Sequence, residues 1–128
     1  MQALLDTHAL IWWLAGDRRL AKAAQAAIAE EANEIFVSAA TGWEIATKVR
    51  IGKLPSVAPV AGKLPSVIAM HGFKELPVSL TEGERAGLLP GDHRDPFDRM
   101  LIAQAQVHGL TLISNEKVFD NFGIRRLW

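Results

Sequence analysis

Short apolar runs alternate with longer helical stretches along the chain. Residues 3–5, 35–37, 73–78, 110–113 and 124–127 have the length and composition of short strands. Most of the stretches between them have ten or more residues with helical character, which is the connection that parallel strands require. The pattern therefore predicts an α/β fold with a parallel sheet covered by helices on both faces.

Local signals predict where two of the helices begin and end. Ser38 has a side chain suited to the N-cap of a helix that runs to about Arg50. Asp95 and Pro96 suit the N-cap and first turn of a helix that runs to about His108. For Asp95 this capping role is preferred over a role in ion binding.

Four further helices are expected, with weaker boundaries. Residues 8–15 and 20–32 are rich in apolar helix formers, and Thr81 with Glu84 three positions later has the spacing of a capping box. The hexapeptide Gly-Lys-Leu-Pro-Ser-Val occurs at 52–57 and again at 62–67. This segment is interpreted as a loop that leads into a short helix, with the second proline either opening or kinking that helix.

Bulk properties describe an ordinary globular chain. With 128 residues, 49% of them hydrophobic and 22% charged, one domain spanning 1–128 is expected. Lys and Arg balance Asp and Glu at 14 each, so any RNA binding must depend on local basic patches. The absence of cysteine excludes disulfides, thiolate nucleophiles and cysteine-based zinc sites. The apolar N-terminus lacks a basic region and is interrupted by Asp6 and His8, so a cytoplasmic location is expected.

Acidic side chains occur close to the predicted strand ends. Asp6 follows the first strand, Glu44 lies on the helix after the second, Asp98 begins a helix, and Glu116 follows the strand at 110–113. Ligands of parallel sheets bind at the carboxyl ends of strands. All four acids could therefore face one end of the sheet.

Such a cluster of carboxylates needs compensation. Two carboxylates 4 Å apart repel each other by about 4 kcal/mol at an effective dielectric constant near 20. The cluster can protonate, pair with Lys or Arg, or bind a hard divalent cation such as Mg²⁺ or Mn²⁺. A cation held in this way can activate water for the hydrolysis of a phosphodiester.

Each acid also has a simpler structural interpretation. Asp6 can cap the first helix, and Glu44 can pair with Lys48 four positions later. Asp98 can act on the helix dipole, and Glu116 can cap or solvate a turn. No single acid decides between these interpretations.

Other residues that often carry chemistry are interpreted structurally. The histidines lack a metal-ligand spacing and are expected to be packing or surface residues: His8, His71, His93 and His108. Three tryptophans are assigned to the core or to a partner interface: Trp12, Trp13 and Trp43. There is no Gly-x-Ser-x-Gly elbow and no phosphate-binding loop of the Gly-x-x-x-x-Gly-Lys-Ser/Thr type.

Three segments together resemble the acidic motifs of PIN-domain proteins, in the VapC-like group. They are Leu4-Leu5-Asp6-Thr7-His8, Val37-Ser38-Ala39-Ala40-Thr41-Gly42-Trp43-Glu44-Ile45-Ala46 and His93-Arg94-Asp95-Pro96-Phe97-Asp98-Arg99-Met100-Leu101-Ile102-Ala103-Gln104-Ala105. Their order and separation also fit, and with Leu127-Trp128 the similarity covers essentially the whole chain.

The resemblance implies a three-layer α/β/α sandwich with a central parallel sheet and an endoribonuclease activity that depends on Mg²⁺ or Mn²⁺. It also implies a role as the toxin of a type II toxin–antitoxin pair, inhibited by a cognate antitoxin. Asp6, Glu44 and Asp98 would be the principal metal-site acids. Glu116 stands where such proteins usually have Asp, which adds a methylene and puts metal binding at that position in doubt.

Further roles follow from this resemblance. The residues expected to support the metal ligands are Thr7, Ser38, Ser114 and Asn115. Glu116 would orient a second cation or the attacking water, and in-line attack would leave 5′-phosphate and 3′-hydroxyl ends. The candidates for contact with the RNA backbone are Lys48, Arg50 and Arg99, each of which can instead be a surface or ion-pairing residue.

Three alternatives remain open from the sequence. The chain could be an RNA-processing nuclease of the same fold, or a decayed binding module whose site has lost activity. A haloacid-dehalogenase-like phosphatase is disfavoured because His8 stands where that class has a second Asp.

The apolar helices at 8–15 and 20–32 also predict a homodimer and a groove for the antitoxin.

Overall fold

Five parallel strands form one sheet at the centre of the protein, in the order β3-β2-β1-β4-β5. This computed structural model describes residues 1–128. The strands are β1 (Gln2–Leu5), β2 (Glu34–Ser38), β3 (Lys74–Leu76), β4 (Thr111–Ile113) and β5 (Arg126–Leu127). The prediction of a parallel sheet is confirmed, and strand order reverses direction beside β1, where the chain crosses from β3 to β4.

Helices cover both faces of this sheet, so the predicted three layers are present. They are α1 (Thr7–Ala15), α2 (Lys22–Ala29), α3 (Ala39–Arg50), α4 (Leu64–Met70), α5 (Leu80–Leu88) and α6 (Pro96–His108). Two 3₁₀ helices, Pro55–Val60 and Lys117–Phe122, complete the connections. None of these helices is long and apolar enough to cross a bilayer.

The alternation of side chains along β1 divides the core in two. Ala3 and Leu5 point to the face that α1 to α4 cover, whereas Leu4 points to the face covered by α6. Leu4 is fully buried there, in a cluster that also contains Phe119. Both faces of the central strand are therefore apolar, as a parallel sheet between two helical layers requires.

The predicted caps of α3 and α6 are confirmed, and one other cap is corrected. Ser38 accepts a hydrogen bond from the Ala40 amide, and Asp95 accepts from the amides of the first turn of α6. The predicted capping box at 81 and 84 is wrong, because Ser79 caps α5 and Glu82 is its partner. Two overlapping pairs have compatible spacing, and the observed helix begins at the earlier one.

Both copies of the repeated hexapeptide begin a helical segment. Pro55 lies in the first turn of a 3₁₀ helix, and Pro65 lies in the first turn of α4. Proline is favoured at this position because its fixed φ suits a helix. It also lacks an amide hydrogen, and an amide hydrogen in the first turn has no partner within the helix. Pro65 therefore opens α4 and does not kink it.

The apolar side chains of the first two helices lie mainly in the core. Trp12, Ala24 and Ile28 are buried there, and α2 is shorter than the predicted 20–32. A partner surface on these two helices therefore stays a prediction. Exposed apolar side chains also occur on the other helices: Trp43 on α3 is 63% exposed, Met70 on α4 is 84% exposed and Leu80 on α5 is 91% exposed.

We expect Leu4→Ala to lower the free energy of unfolding by about 2–5 kcal/mol, because it removes buried volume between the central strand and α6. Leu80→Ala is the matched control, and we expect a change within about 0.5 kcal/mol because that side chain is exposed. Urea unfolding followed by circular dichroism measures both. Equal destabilisation by the two substitutions would contradict the assigned core.

Candidate active site

The candidate site lies at the carboxyl ends of β1, β2 and β4. Leu5 pairs with Ile113, and the Asp6 amide donates to the Ile113 carbonyl oxygen over 3.1 Å, so the segments that follow β1 and β4 begin side by side. This is also the point where strand order reverses, which is where ligands bind in open parallel sheets.

Asp6 is buried and caps α1. Its Oδ1 accepts a hydrogen bond of 2.7 Å from the Ala9 amide. Burial raises the pKa of Asp6 to about 6, and the negative charge of Glu116 adds to this rise, whereas hydrogen bonds from Ser114 and Ala9 oppose it. No Lys or Arg forms a salt bridge with Asp6. The capping role predicted as an alternative is therefore real, and it leaves a buried acid without a cationic partner.

Asp98 lies in the first turn of α6, and His93 holds it. The Nε2 atom of His93 is 2.9 Å from Asp98 Oδ2. The pKa of Asp98 is raised to about 7, mainly by burial and also by the charges of Asp95 and Glu116, while the hydrogen bond with His93 opposes the rise. The prediction that His93 is only a packing or surface residue is wrong, since it contacts an acid of the site.

Glu44 has both carboxylate oxygens engaged. Oε1 accepts a hydrogen bond from the hydroxyl of Thr7, and Oε2 is 2.5 Å from Lys48 Nζ. Thr7 is the first residue of α1, directly after Asp6, so this hydrogen bond places Glu44 beside the end of β1. The hydrogen bond with Glu44 raises the pKa of Lys48. The negative charges of Glu44, Asp95 and Asp98 raise it as well.

Glu116 directly precedes the 3₁₀ helix that follows β4. Of the two residues before it, one is buried and one is exposed. Ser114 is fully buried, and its hydroxyl accepts from the Glu116 amide over 3.0 Å. Asn115 is exposed. Of the two residues predicted to support this part of the site, Ser114 contacts Asp6 and Glu116, whereas the structure records no hydrogen bond from the Asn115 side chain.

The four acids form one electrostatically connected group. Glu116 acts on both Asp6 and Asp98 through its charge, and Lys48 connects Asp98 with Glu44. As the side chains stand, no three Asp, Glu or His groups converge closely enough to ligate a single ion.

The chemistry of this group nevertheless fits a hard divalent cation. Every acidic donor is an oxygen, and the two aspartates have raised pKa values because charged carboxylates are disfavoured there. The buried hydroxyl of Thr41, one helical turn before Glu44 and on the same side of α3, has no hydrogen-bond partner. A bound cation would compensate the acids, and its water ligands would supply partners for such a hydroxyl.

The profile of the PIN domain family matches residues 3–124. The chain belongs to the PIN domain family. Among curated proteins, it is similar to "Ribonuclease VapC22" of Mycobacterium tuberculosis, with 32% identity over 115 residues that cover 89% of this chain and 86% of that protein. The resemblance inferred from the three acidic motifs is therefore confirmed.

Solved structures show the same fold. A chain of a toxin–antitoxin complex from Klebsiella pneumoniae is 28% identical, with a TM-score of 0.57 and coverage of 89% of this chain and 86% of that one. A chain of VapBC2 from Rickettsia felis, bound to a DNA fragment from its promoter, is 16% identical with a TM-score of 0.66, covering 99% and 98% of the two chains. The α/β/α fold of the PIN domain is thus confirmed.

The guanidinium of Arg99, a predicted contact with RNA, is bound by backbone oxygens in this PIN domain. Its guanidinium donates to the backbone carbonyl oxygens of Ala86, Gly87, Leu89 and His93 over 2.6–3.3 Å. All three of its nitrogens are therefore engaged in holding the segment between α5 and α6. The sequence shows a basic residue beside Asp98, but only the tertiary structure shows which oxygens it meets.

Several basic residues near the acids remain accessible. Arg50, a predicted RNA contact, is exposed at the end of α3 without an ion pair. Arg94 and Lys117 were missed by the sequence analysis, although they directly follow His93 and Glu116, and both are exposed. Their position in the sequence next to His93 and Glu116 was the signal that could have marked them as candidates for contact with RNA.

We expect Asp6→Asn to raise the free energy of unfolding of the metal-free protein at about pH 7.5 by on the order of 2–3 kcal/mol. The pKa of folded Asp6 is about 6 against 3.8 as the ordinary value, so its stabilising contribution is present below pH 3.8 and is lost as the pH rises through about 6. Asn keeps the N-cap. Thermal unfolding in a chelator, at several pH values between about 4 and 8, measures the difference.

Asp17→Asn is the control for this experiment. Its hydrogen bonds with Arg19 lower the pKa of Asp17 to about 2, so replacing this partly exposed acid is not expected to stabilise the protein at neutral pH. If the wild type and Asp6→Asn had parallel stability profiles across this pH range, the raised pKa would be contradicted.

Proposed function

We propose that this PIN domain, as one unit spanning residues 1–128, is a Mg²⁺- or Mn²⁺-dependent endoribonuclease and the toxin of a type II toxin–antitoxin pair. The observation that carries the proposal is the buried, electrostatically coupled set of acids at the carboxyl ends of the central strands. The similarity to a protein named as a VapC ribonuclease supports the nuclease activity. A role on cellular RNA corresponds to a cytoplasmic location.

The residues that would hold the cation are Asp6, Glu44, Asp98 and Glu116. When bound there, Mg²⁺ or Mn²⁺ would stabilise negative charge on the phosphodiester and make a water molecule more acidic. Thr7 supports Glu44 through a hydroxyl that hydrogen-bonds to the carboxylate and restricts its rotation, and the Ser114 side chain lowers the pKa of Asp6.

Asp98 and Glu116 would complete the chemistry. His93 hydrogen-bonds to Asp98 and thereby limits the orientation of its carboxylate. Glu116 carries the longer side chain and is only partly buried, which suits a group that orients the attacking water from the edge of the site. In-line attack of that water on phosphorus leaves a 5′-phosphate and a 3′-hydroxyl.

Basic side chains around the acids would bind the RNA backbone. Lys48, at 30% side-chain exposure, can exchange its ion pair with Glu44 for a phosphate when a cation neutralises the acids. The exposed Arg50, Arg94 and Lys117 extend this surface along three segments that border the site. The neutral net charge of the chain is consistent with binding by such a local patch.

A cognate antitoxin and a second copy of the chain are the proposed protein partners. Similar folds occur in structures described as toxin–antitoxin complexes, which supports the first partner. Trp43 packs edge-on against Phe97 with ring centroids 4.8 Å apart and is otherwise exposed, beside an apolar groove of about 380 Å³. Exposed aromatic surface of this kind is typical of protein interfaces.

We expect the purified protein to cleave RNA in Mg²⁺ or Mn²⁺ and not in a chelator. Asp98→Asn is expected to lower kcat/KM by about 100-fold or more, because it removes a charged ligand of the cation. Gel analysis of total RNA, with mapping of the end groups, measures the activity. Asp17→Asn is the control, since that acid lies on the surface in an ion pair with Arg19.

The outcomes separate the competing functions. Cyclic phosphate ends or activity in chelator would contradict the metal-dependent mechanism, and inactivity of the folded wild type on all RNA would favour a decayed binding module. Growth arrest on expression, relieved by a neighbouring small gene product, supports the toxin. Cleavage without growth arrest would favour an RNA-processing nuclease.

We expect Lys48→Met to bind Mn²⁺ about threefold to tenfold more tightly and to raise the KM for RNA by a similar factor. The substitution removes the positive charge that pairs with Glu44. It also removes a cationic group that would bind an RNA phosphate. Isothermal calorimetry and initial rates measure the two effects. Lys63→Met is the control, because Lys63 is exposed and has no ion pair. Weaker Mn²⁺ binding by Lys48→Met would contradict this assignment.

A further inference from the structure

A buried polar network lies beneath the acids and has no part in the proposed chemistry. Gln104, on α6, is completely buried, and Glu82, on α5, is 4% exposed. Burying polar groups in a core is unfavourable unless all of them are paired. A network of this kind therefore specifies one arrangement of the elements that it joins.

Every hydrogen-bonding group of the Gln104 side chain is paired. Its Oε1 accepts from the hydroxyl of Ser38 over 2.5 Å. Its Nε2 donates to the carbonyl oxygen of Pro77 over 3.2 Å and to Oε1 of Glu82 over 2.9 Å. An amide has one acceptor oxygen and two donor hydrogens, so its orientation is determined by these three partners.

Glu82 holds the far end of this network. Although burial opposes it, hydrogen bonds from Ser79 and Gln104 keep the pKa of Glu82 below its ordinary value. A charged carboxylate accepts and does not donate, so it selects the amide nitrogen of Gln104 as its neighbour. The oxygen of the amide is thereby turned towards Ser38.

The hydrogen bond between Ser38 and Gln104 connects the two helices that carry acids. Ser38 is the N-cap of α3, six positions before Glu44, and Gln104 lies on α6, six positions after Asp98. Each acid is thus about 9 Å along its helix from this hydrogen bond. No other hydrogen bond joins residues 38–50 to α6.

We infer that Gln104 is a positioning residue, which sets the separation of Glu44 and Asp98 by holding the N-cap of α3 against α6. This inference rests on the proposed function, because it assigns Gln104 a role in forming the cation site. Ser38, predicted to support the metal ligands, then acts through the position of α3, since its hydroxyl contacts Gln104 and none of the acids.

Four variants test the inference: Gln104→Met, Ser38→Ala, their double variant, and Gln106→Met as the control. Gln106 is a glutamine on the same helix, with hydrogen bonds to Arg85 and to the Phe122 carbonyl and none to α3. Mn²⁺ binding is measured by electron paramagnetic resonance, well below the unfolding temperature of each variant. The kcat and KM for RNA are measured separately.

Gln104→Met is expected to weaken Mn²⁺ binding by about tenfold and to lower kcat, with the KM for RNA changed less than about twofold. Ser38→Ala is expected to do the same, and the double variant to be no worse than the more affected single variant, because both substitutions cut one connection. Gln106→Met is expected to bind Mn²⁺ as the wild type does. Ser38→Ala leaves the hydrogen bonds of Gln104 to Pro77 and Glu82 intact. If Gln104→Met does not fold, the Mn²⁺ affinity of Ser38→Ala therefore tests the inference.

Wild-type Mn²⁺ affinity in the folded Ser38→Ala and Gln104→Met variants would overturn the inference. Additive losses in the double variant, or an equal loss in Gln106→Met, would also overturn it by indicating a general effect on stability. A wild-type protein that binds no Mn²⁺ and cleaves no RNA would instead overturn the proposed function.

Discussion

The parallel pairing of β1 with β4 is the constraint on which the site depends. It brings the segment after Leu5 next to the segment after Ile113, and therefore brings Asp6 near Glu116. This pairing, whose backbone hydrogen bonds are buried, fixes the backbone positions from which the two side chains extend. Charge repulsion and burial at this edge follow from the strand order itself.

The surrounding elements compensate this repulsion with specific partners. Lys48 neutralises Glu44, and His93 hydrogen-bonds to Asp98, while Asp6 has only hydroxyl and amide donors. Each partner stabilises the metal-free protein and would compete with a bound cation for the same oxygens. Binding of the proposed cation would therefore be coupled to the stability of the folded chain through a few side chains.

Helical packing determines how closely the acids on α3 and α6 approach. The aromatic pair of Trp43 and Phe97 contacts near the acids, and the hydrogen bond between Ser38 and Gln104 lies about 9 Å further along each helix. Arg99 holds the segment before α6 through backbone carbonyl oxygens. The geometry of the site therefore depends on residues that touch no substrate.

Sequence alone determined the order of strands and helices, the caps at Ser38 and Asp95, and the family, because these depend on local periodicity, local hydrogen bonding and the spacing of motifs. It also predicted that the acids lie near one edge of the sheet, since the carboxyl ends of parallel strands meet there. The partners of the charged groups were decided only by the tertiary structure: His93 on Asp98, and Arg99 on carbonyl oxygens. Such pairings depend on distances of a few ångströms between segments that are remote in sequence, and no local pattern encodes them.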